Sequence, residues 1–210
     1  MRFSIFTPVL GSAASAAAYY TMLSYAPLHP EVHLKVINAH NKIFAIGAEN
    51  PTTFCGLDDP EQCPPANSTL VDAEMTRLAV SKPSLPCRLP TTDDRIQSAV
   101  PGGQFIYVAP DGVISYPSAH SAHRPPGSQV GGFYSFRLFS ECVVAITVLS
   151  WQSAHGATGL WACPSPAGHS ISDLAVLKAS STEFTGQGCL ELEGVHIREA
   201  GDEFGAWAYT

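Results

Sequence analysis

After residue 30 this chain shows no long stretch with apolar residues at helical spacing. Short apolar runs follow one another instead, each cut off by a cluster of turn formers. The clearest case is Val100-Pro-Gly-Gly-Gln-Phe-Ile-Tyr-Val-Ala-Pro110, closed at once by Asp111-Gly112. Pro101-Gly102 sets a first turn, because proline fixes φ and glycine accepts φ > 0. Phe105, Tyr107 and Ala109 then alternate with Ile106 and Val108. Asp111-Gly112 is a strong hairpin signal, and residues 113–116 return as the partner strand. The same rhythm recurs along the chain. Residues 32–37 alternate, 38–42 read as a turn, and 43–46 follow as a strand. Residues 133–139 alternate aromatic with small or polar side chains, and 143–149 form a continuous apolar run expected in a core. Residues 159–163, 174–178, 189–197 and 206–209 complete the set. Many short strands with frequent turns predict an all-β fold: a single compact β-sandwich or barrel. A β-trefoil is compatible, though no clean threefold repeat is visible.

Composition agrees with this. Of 210 residues only 14% are charged, against about 25% in ordinary globular chains, while 17 glycines and 17 prolines supply turns. The net charge is −7 and no basic patch is present, which argues against a nucleic-acid surface.

The first residues read as a secretory leader. Arg2 gives the positive region, residues 3–18 are apolar and end in small side chains, and Ala14-Ser15-Ala16 matches an A-x-A cleavage site. The alternative is a buried N-terminal helix. The expected organisation is a signal peptide over 1–18, a linker over 19–30 and one domain over 31–210. No other stretch reaches the ~18 apolar residues of a membrane helix, and residues 205–210 lack the apolar tail of a GPI signal. No membrane span is therefore expected, and the product should be secreted. Two features fit that compartment. Asn67-Ser68-Thr69 is a glycosylation sequon, which requires an exposed loop, whereas Asn50-Pro51-Thr52 fails through its proline. There are also six cysteines, at 55, 63, 87, 142, 163 and 189, an even count that implies disulfides with 15 connectivities open. Cys55 and Cys63 flank a loop rich in turn formers and are the easiest pair to join. Cys163 with Cys189 is taken as the second pair.

Catalytic signatures are mostly missing. Neither Gly-x-Ser-x-Gly nor His-Glu-x-x-His occurs, and Gly168-His-Ser-Ile-Ser172 lacks the closing glycine that a nucleophile elbow needs. His120 and His123 could offer two imidazoles to a metal, but a metal needs three or four converging ligands, so a solvated loop is the simpler reading. Asp58, Asp59 and Glu61 lack the EF-hand spacing. No cofactor is expected. A glycosidase built on paired carboxylates stays open, since such pairs meet only in three dimensions. Trp151, Trp161 and Trp207 could stack on sugar rings, with core packing the expected role of at least two.

Several motifs in order carry a family resemblance. They are Lys35-Val-Ile-Asn-Ala39 with Lys42-Ile-Phe44; Cys55 through Cys63-Pro-Pro-Ala-Asn-Ser-Thr69; Val100-Pro-Gly-Gly-Gln104 through Tyr107-Val-Ala-Pro-Asp-Gly112; Ser118-Ala-His-Ser121 with Pro125-Pro-Gly-Ser128; Gly159-Leu-Trp-Ala-Cys-Pro164; Gly188-Cys-Leu190; and Ala206-Trp207 with Tyr209. With interruptions they span residues 32–210, and they resemble the fungal PhiA-type cell-wall proteins, also described as IgE-binding allergens. The resemblance implies a secreted, non-enzymatic wall protein linked to phialide and conidium development. It also implies four shared cysteines, here 55, 63, 163 and 189, and it carries over no catalytic residue. Wall polysaccharide, glucan or chitin, is the expected partner. The alternatives are a secreted carbohydrate-binding protein or effector and, third, a secreted glycoside hydrolase.

Two stretches depart from the family pattern. Residues 80–97, rich in proline and serine, read as a surface-loop insertion or as a translated intron. Val-Ser can be encoded by a splice donor, GTAAGT, and Ile-Gln by an acceptor, ATACAG. Removing these residues joins Ala79 to Ser98-Ala-Val-Pro-Gly-Gly103. The second departure is 137–150, which carries Cys142. If both stretches belong to the mature protein, Cys87–Cys142 would be a third bridge; if 80–97 is an intron, Cys142 is left as an odd thiol.

Overall fold

The computed structural model describes residues 19–59, 61, 63–72, 75, 77–79, 104–140, 143–201, 205–206 and 208–210, and no α-helix occurs among them. The strands come in chain order as β1 (Tyr20–Tyr25), β2 (Ile37–His40), β3 (Ile43–Ile46), β4 (Thr53–Phe54), β5 (Leu70–Val71) and β6 (Arg77–Ala79). Next are β7 (Gln104–Phe105), β8 (Tyr107–Val108), β9 (Ile114–Ser115), β10 (Gln129–Val130) and β11 (Phe133–Ser140). The last six are β12 (Val143–Trp151), β13 (Leu160–Pro164), β14 (Ala175–Ala179), β15 (Leu190–Leu192), β16 (Gly194–Glu199) and β17 (Ala208–Tyr209).

One sheet runs β11-β12-β16-β1-β5-β6-β7. The other runs β10-β8-β9-β3-β14-β13-β15, with β2 also paired to β3, and β17 pairs with β4 apart from both. Leu23 in β1 bridges to Val36 at the threshold of β2, so the chain steps from one sheet to the other there and the sheets curl into a half-barrel. Side chains alternate across each strand. The inward set forms one core: Met22 from β1, Leu149 and Trp151 from β12, and Val195 and Ile197 from β16 join Phe44, Ile46, Leu160 and Leu177 of the other sheet. The fold is all-β, and the cysteine pairs 55–63 and 163–189 are both bonded.

The hairpin expected at 104–116 is present. Tyr107 pairs with Ser115 and Val108 with Ile114. The Ala109 N–H donates to the Val113 carbonyl at 2.9 Å, and the Gly112 N–H donates to the Ala109 carbonyl at 2.9 Å. Gly112 takes φ +88°, and a Cβ there would lie 2.4 Å from the Ala179 carbonyl oxygen. This turn thus needs glycine both for its backbone conformation and for its close approach to β14.

Four expectations change. Residues 19–30 are not a linker, because β1 lies between β16 and β5 with Met22 fully buried. Thr21 and Ser24 obscure the strand in sequence; both are buried, and the Ser24 hydroxyl donates to the Val32 and Lys35 carbonyls. The alternation at 32–37 is not a strand along its length. A turn held by Val32 N–H and His33 N–H on the His29 carbonyl occupies its start, and Leu34 takes φ +55°. The turn expected over 38–42 shrinks to Asn41-Lys42, both at positive φ. Asn38 enters β2 because the fold satisfies its amide: Nδ2 donates to the Ala48 carbonyl at 2.9 Å and Oδ1 accepts from the Thr69 N–H at 3.0 Å. The 143–149 run is a strand, but its described side chains become fully buried only from Val148 onward, where β12 lies over the core. The expected leader over 1–18, the 80–97 stretch, Cys87, Cys142 and Trp207 fall outside the described residues.

Candidate functional site

Two polar arrangements stand out, and only one of them meets solvent. The buried one ties residues 208–210 into the core. Gln104 is fully buried; its Nε2 donates to the Pro117 and Tyr209 carbonyls at 2.9 and 2.8 Å, while its Oε1 accepts from the Tyr209 N–H at 2.9 Å. The Tyr209 hydroxyl accepts from the Leu70 and Ala206 N–H groups and donates to the Ser68 carbonyl, each at 3.2 Å. Tyr116 packs edge-on between Phe44 and Tyr209; its hydroxyl accepts from the Lys42 N–H and donates to the Thr210 carbonyl, both at 3.2 Å. Burial raises the Tyr209 hydroxyl to about 12 and raises that of Tyr116 further, because the phenolate would lose its water. Thr69, the last residue of the sequon, is buried and accepts from the Ala39 N–H at 2.7 Å, while Asn67 two residues earlier is exposed. These groups are hydrogen-bonded to the backbone and form a brace.

The solvent-facing arrangement is a cleft of about 320 Å³ on the outer side of the second sheet. Its floor is the Cys163–Cys189 bridge, with Cys163 on β13 and Cys189 just ahead of β15. One wall is Lys178 of β14 with Asp111 of the β8–β9 turn; the ammonium lies 3.8 Å from the carboxylate. That pair is partly exposed, so it orients the groups more than it stabilises the fold. The other wall is the 181–188 loop, which brings Glu183, Phe184 and Gln187 to the rim. The loop is tied down at both ends. The Glu183 N–H donates to the Pro110 carbonyl at 2.9 Å, and the Cys189 N–H donates to the Gly186 carbonyl at 3.1 Å beside the bridge. Phe184 leans on Trp161 with ring centroids 5.6 Å apart, and the Trp161 indole donates to the Ser180 hydroxyl at 2.9 Å.

The remaining candidates are scattered. His120 and His123 sit on an exposed loop, and Asp58, Asp59 and Glu61 lie on the exposed loop closed by Cys55–Cys63. Among the described residues no three His, Cys, Asp or Glu side chains gather in metal-binding reach. Trp151 is a core residue whose indole donates to the Gly131 carbonyl, while Trp161 is half-buried. Ser170 and Ser172 hydrogen-bond each other at 2.6 Å in a surface turn. Asp111, expected as a turn former rather than an acid catalyst, is also part of the cleft. Lys178, Glu183, Phe184 and Gln187 were not singled out in sequence. The available signals were a lone lysine in the apolar run Ala175-Val-Leu-Lys-Ala179 and a turn-rich stretch immediately ahead of a bonded cysteine.

The chain is 29% identical over 201 residues to an uncharacterized secreted protein of the fungus Arthroderma benhamiae, covering 89% of this chain and 90% of that protein. No family profile matches the chain, and no solved structure matches it.

Proposed function

We propose that this is a secreted fungal cell-wall protein with a structural rather than catalytic role, held in the wall by contact with glucan or chitin. One observation carries the reading. The segments that resemble the PhiA-type wall proteins supply scaffold: Asn38, Ala39, Gln104, Tyr107 and Tyr209 are buried, and the four matching cysteines are bonded in two pairs. A framework of braces and bridges is what an extracellular structural domain requires. The fungal relative described as secreted supports the compartment, and similar coverage of both chains supports comparable overall organisation. Glycan at Asn67 fits its exposed position. Roles in phialide and conidium formation and IgE binding follow from the resemblance and belong to this same reading.

A second reading, a carbohydrate-binding protein or effector free in the medium, is favoured by the cleft, where an aromatic ring sits beside polar groups. Fractionation of the source organism into medium, detergent extract and glucanase digest separates the two. The wall reading expects retention until the glucan is digested. Recovery in the medium, with no affinity for wall polymers, would overturn it.

A further inference from the structure

We propose that the cleft floored by the Cys163–Cys189 bridge is a saccharide subsite that takes one hexopyranose residue of a wall polymer. The inference rests on the wall reading above and names the place of contact. At about 320 Å³ the cleft lies at the small end of ligand sites, which suits a single ring or a chain terminus rather than a long polymer groove. Its chemistry is that of sugar recognition. Phe184 lines it and offers apolar surface to the C–H face of a pyranose, and Trp161 backs Phe184 so that the ring holds its place. Around that surface Asp111 and Glu183 accept hydrogen bonds, Lys178 donates, and Gln187 does both, which matches hydroxyls that each donate and accept.

The charge pattern argues against an anionic ligand. Two carboxylates line the cleft, and its ammonium already lies 3.8 Å from one of them. The walls are also prearranged. The bridge fixes the floor, the Asp111 carboxylate accepts from the Val113 N–H at 3.2 Å, and the Glu183 backbone is anchored on Pro110. Binding then costs little ordering of the site.

The test is titration of the full secreted protein with laminarihexaose and, separately, chitohexaose, followed by calorimetry and by amide NMR shifts. The two arms tell a glucan from a chitin source. Binding to one of them is expected, with shifts concentrated at 111, 178 and 183–187. Phe184→Ala and Glu183→Gln should each weaken it about tenfold, the loss expected for a stacking surface or a charge-assisted hydrogen bond. Gln187→Ala, at an exposed position, gives a variant whose folding is not at risk, and it should weaken binding severalfold. Tyr134→Ala, on the exposed part of β11, should leave affinity unchanged. Cleft variants that bind like the parent, or a parent that binds neither oligosaccharide, would overturn the subsite. If the protein is nonetheless retained in walls, the subsite alone fails and the wall reading survives.

Discussion

Gln104 shows how this protein uses polarity inside its core. Its side chain replaces three backbone partners for residues 117 and 209 that no regular strand pairing supplies. Gln104→Ala would remove all three of these hydrogen bonds, and losing a partner inside the core costs about 1–3 kcal/mol. A loss of roughly 3 kcal/mol or more is expected, read as a lower urea midpoint with unchanged slope. Tyr209 and Tyr116 make a second prediction. Burial raises both hydroxyls above the ordinary tyrosine value, Tyr209 to about 12. Unfolding lets each ionise near pH 10, while the folded form keeps its proton. Their stabilisation is therefore complete below pH 10 and is lost as pH rises toward the folded values. Each tyrosine contributes a fall of about 1.4 kcal/mol per pH unit above pH 10. Denaturant melts between pH 9 and 12 should show this fall, and Tyr209→Phe should make it shallower.

At the scale of elements, β6 and β7 are the informative pair. They run antiparallel, with Arg77 opposite Phe105 and Leu78 opposite Gln104. Without residues 80–97 the connection from Ala79 to Gln104 is Ser98-Ala-Val-Pro-Gly-Gly103, an ordinary length for a strand connection, with proline and glycine placed for a turn. The protein lacking 80–97 is expected to fold with the same near-UV circular dichroism and to melt within a few degrees of the full chain. Aggregation or loss of the signal would mean that the stretch is part of the fold. Elements whose signals are local were legible in sequence: the Asp111-Gly112 hairpin, β3, and the long strands β11 and β12. β1 and β2 were not, because their buried polar residues find partners only once other segments close around them: Thr21 on the Arg198 carbonyl, Asn38 on Thr69, and Ser24 on the turn at 32–35. The cleft was hidden for a related reason. Asp111 lies 67 residues from Lys178 in sequence, and the bridge between Val113 and Lys178, with the 181–188 loop that follows β14, brings Asp111, Lys178 and Glu183 together.

For the molecule as a whole, the two bridges act mainly on the unfolded chain. Cys163–Cys189 spans 26 residues and Cys55–Cys63 spans 8, so loop-closure entropy assigns about 3.5 and 2.5 kcal/mol to them. The Cys163→Ala, Cys189→Ala double variant should lose about 3 kcal/mol in urea melts and loosen the cleft, whose floor it removes. The opposite pair, Cys55→Ala with Cys63→Ala, should cost less and leave the cleft intact. A half-barrel braced from inside by Gln104 and Tyr209, and stapled on its outer side by a bridge, suits a protein that endures outside the cell. The most direct check is co-sedimentation of the purified protein with isolated fungal walls, untreated or stripped by glucanase or by chitinase. The wall reading predicts pelleting with untreated walls and loss of pelleting after one of the two digestions. Protein that stays in the supernatant with every wall preparation would contradict it.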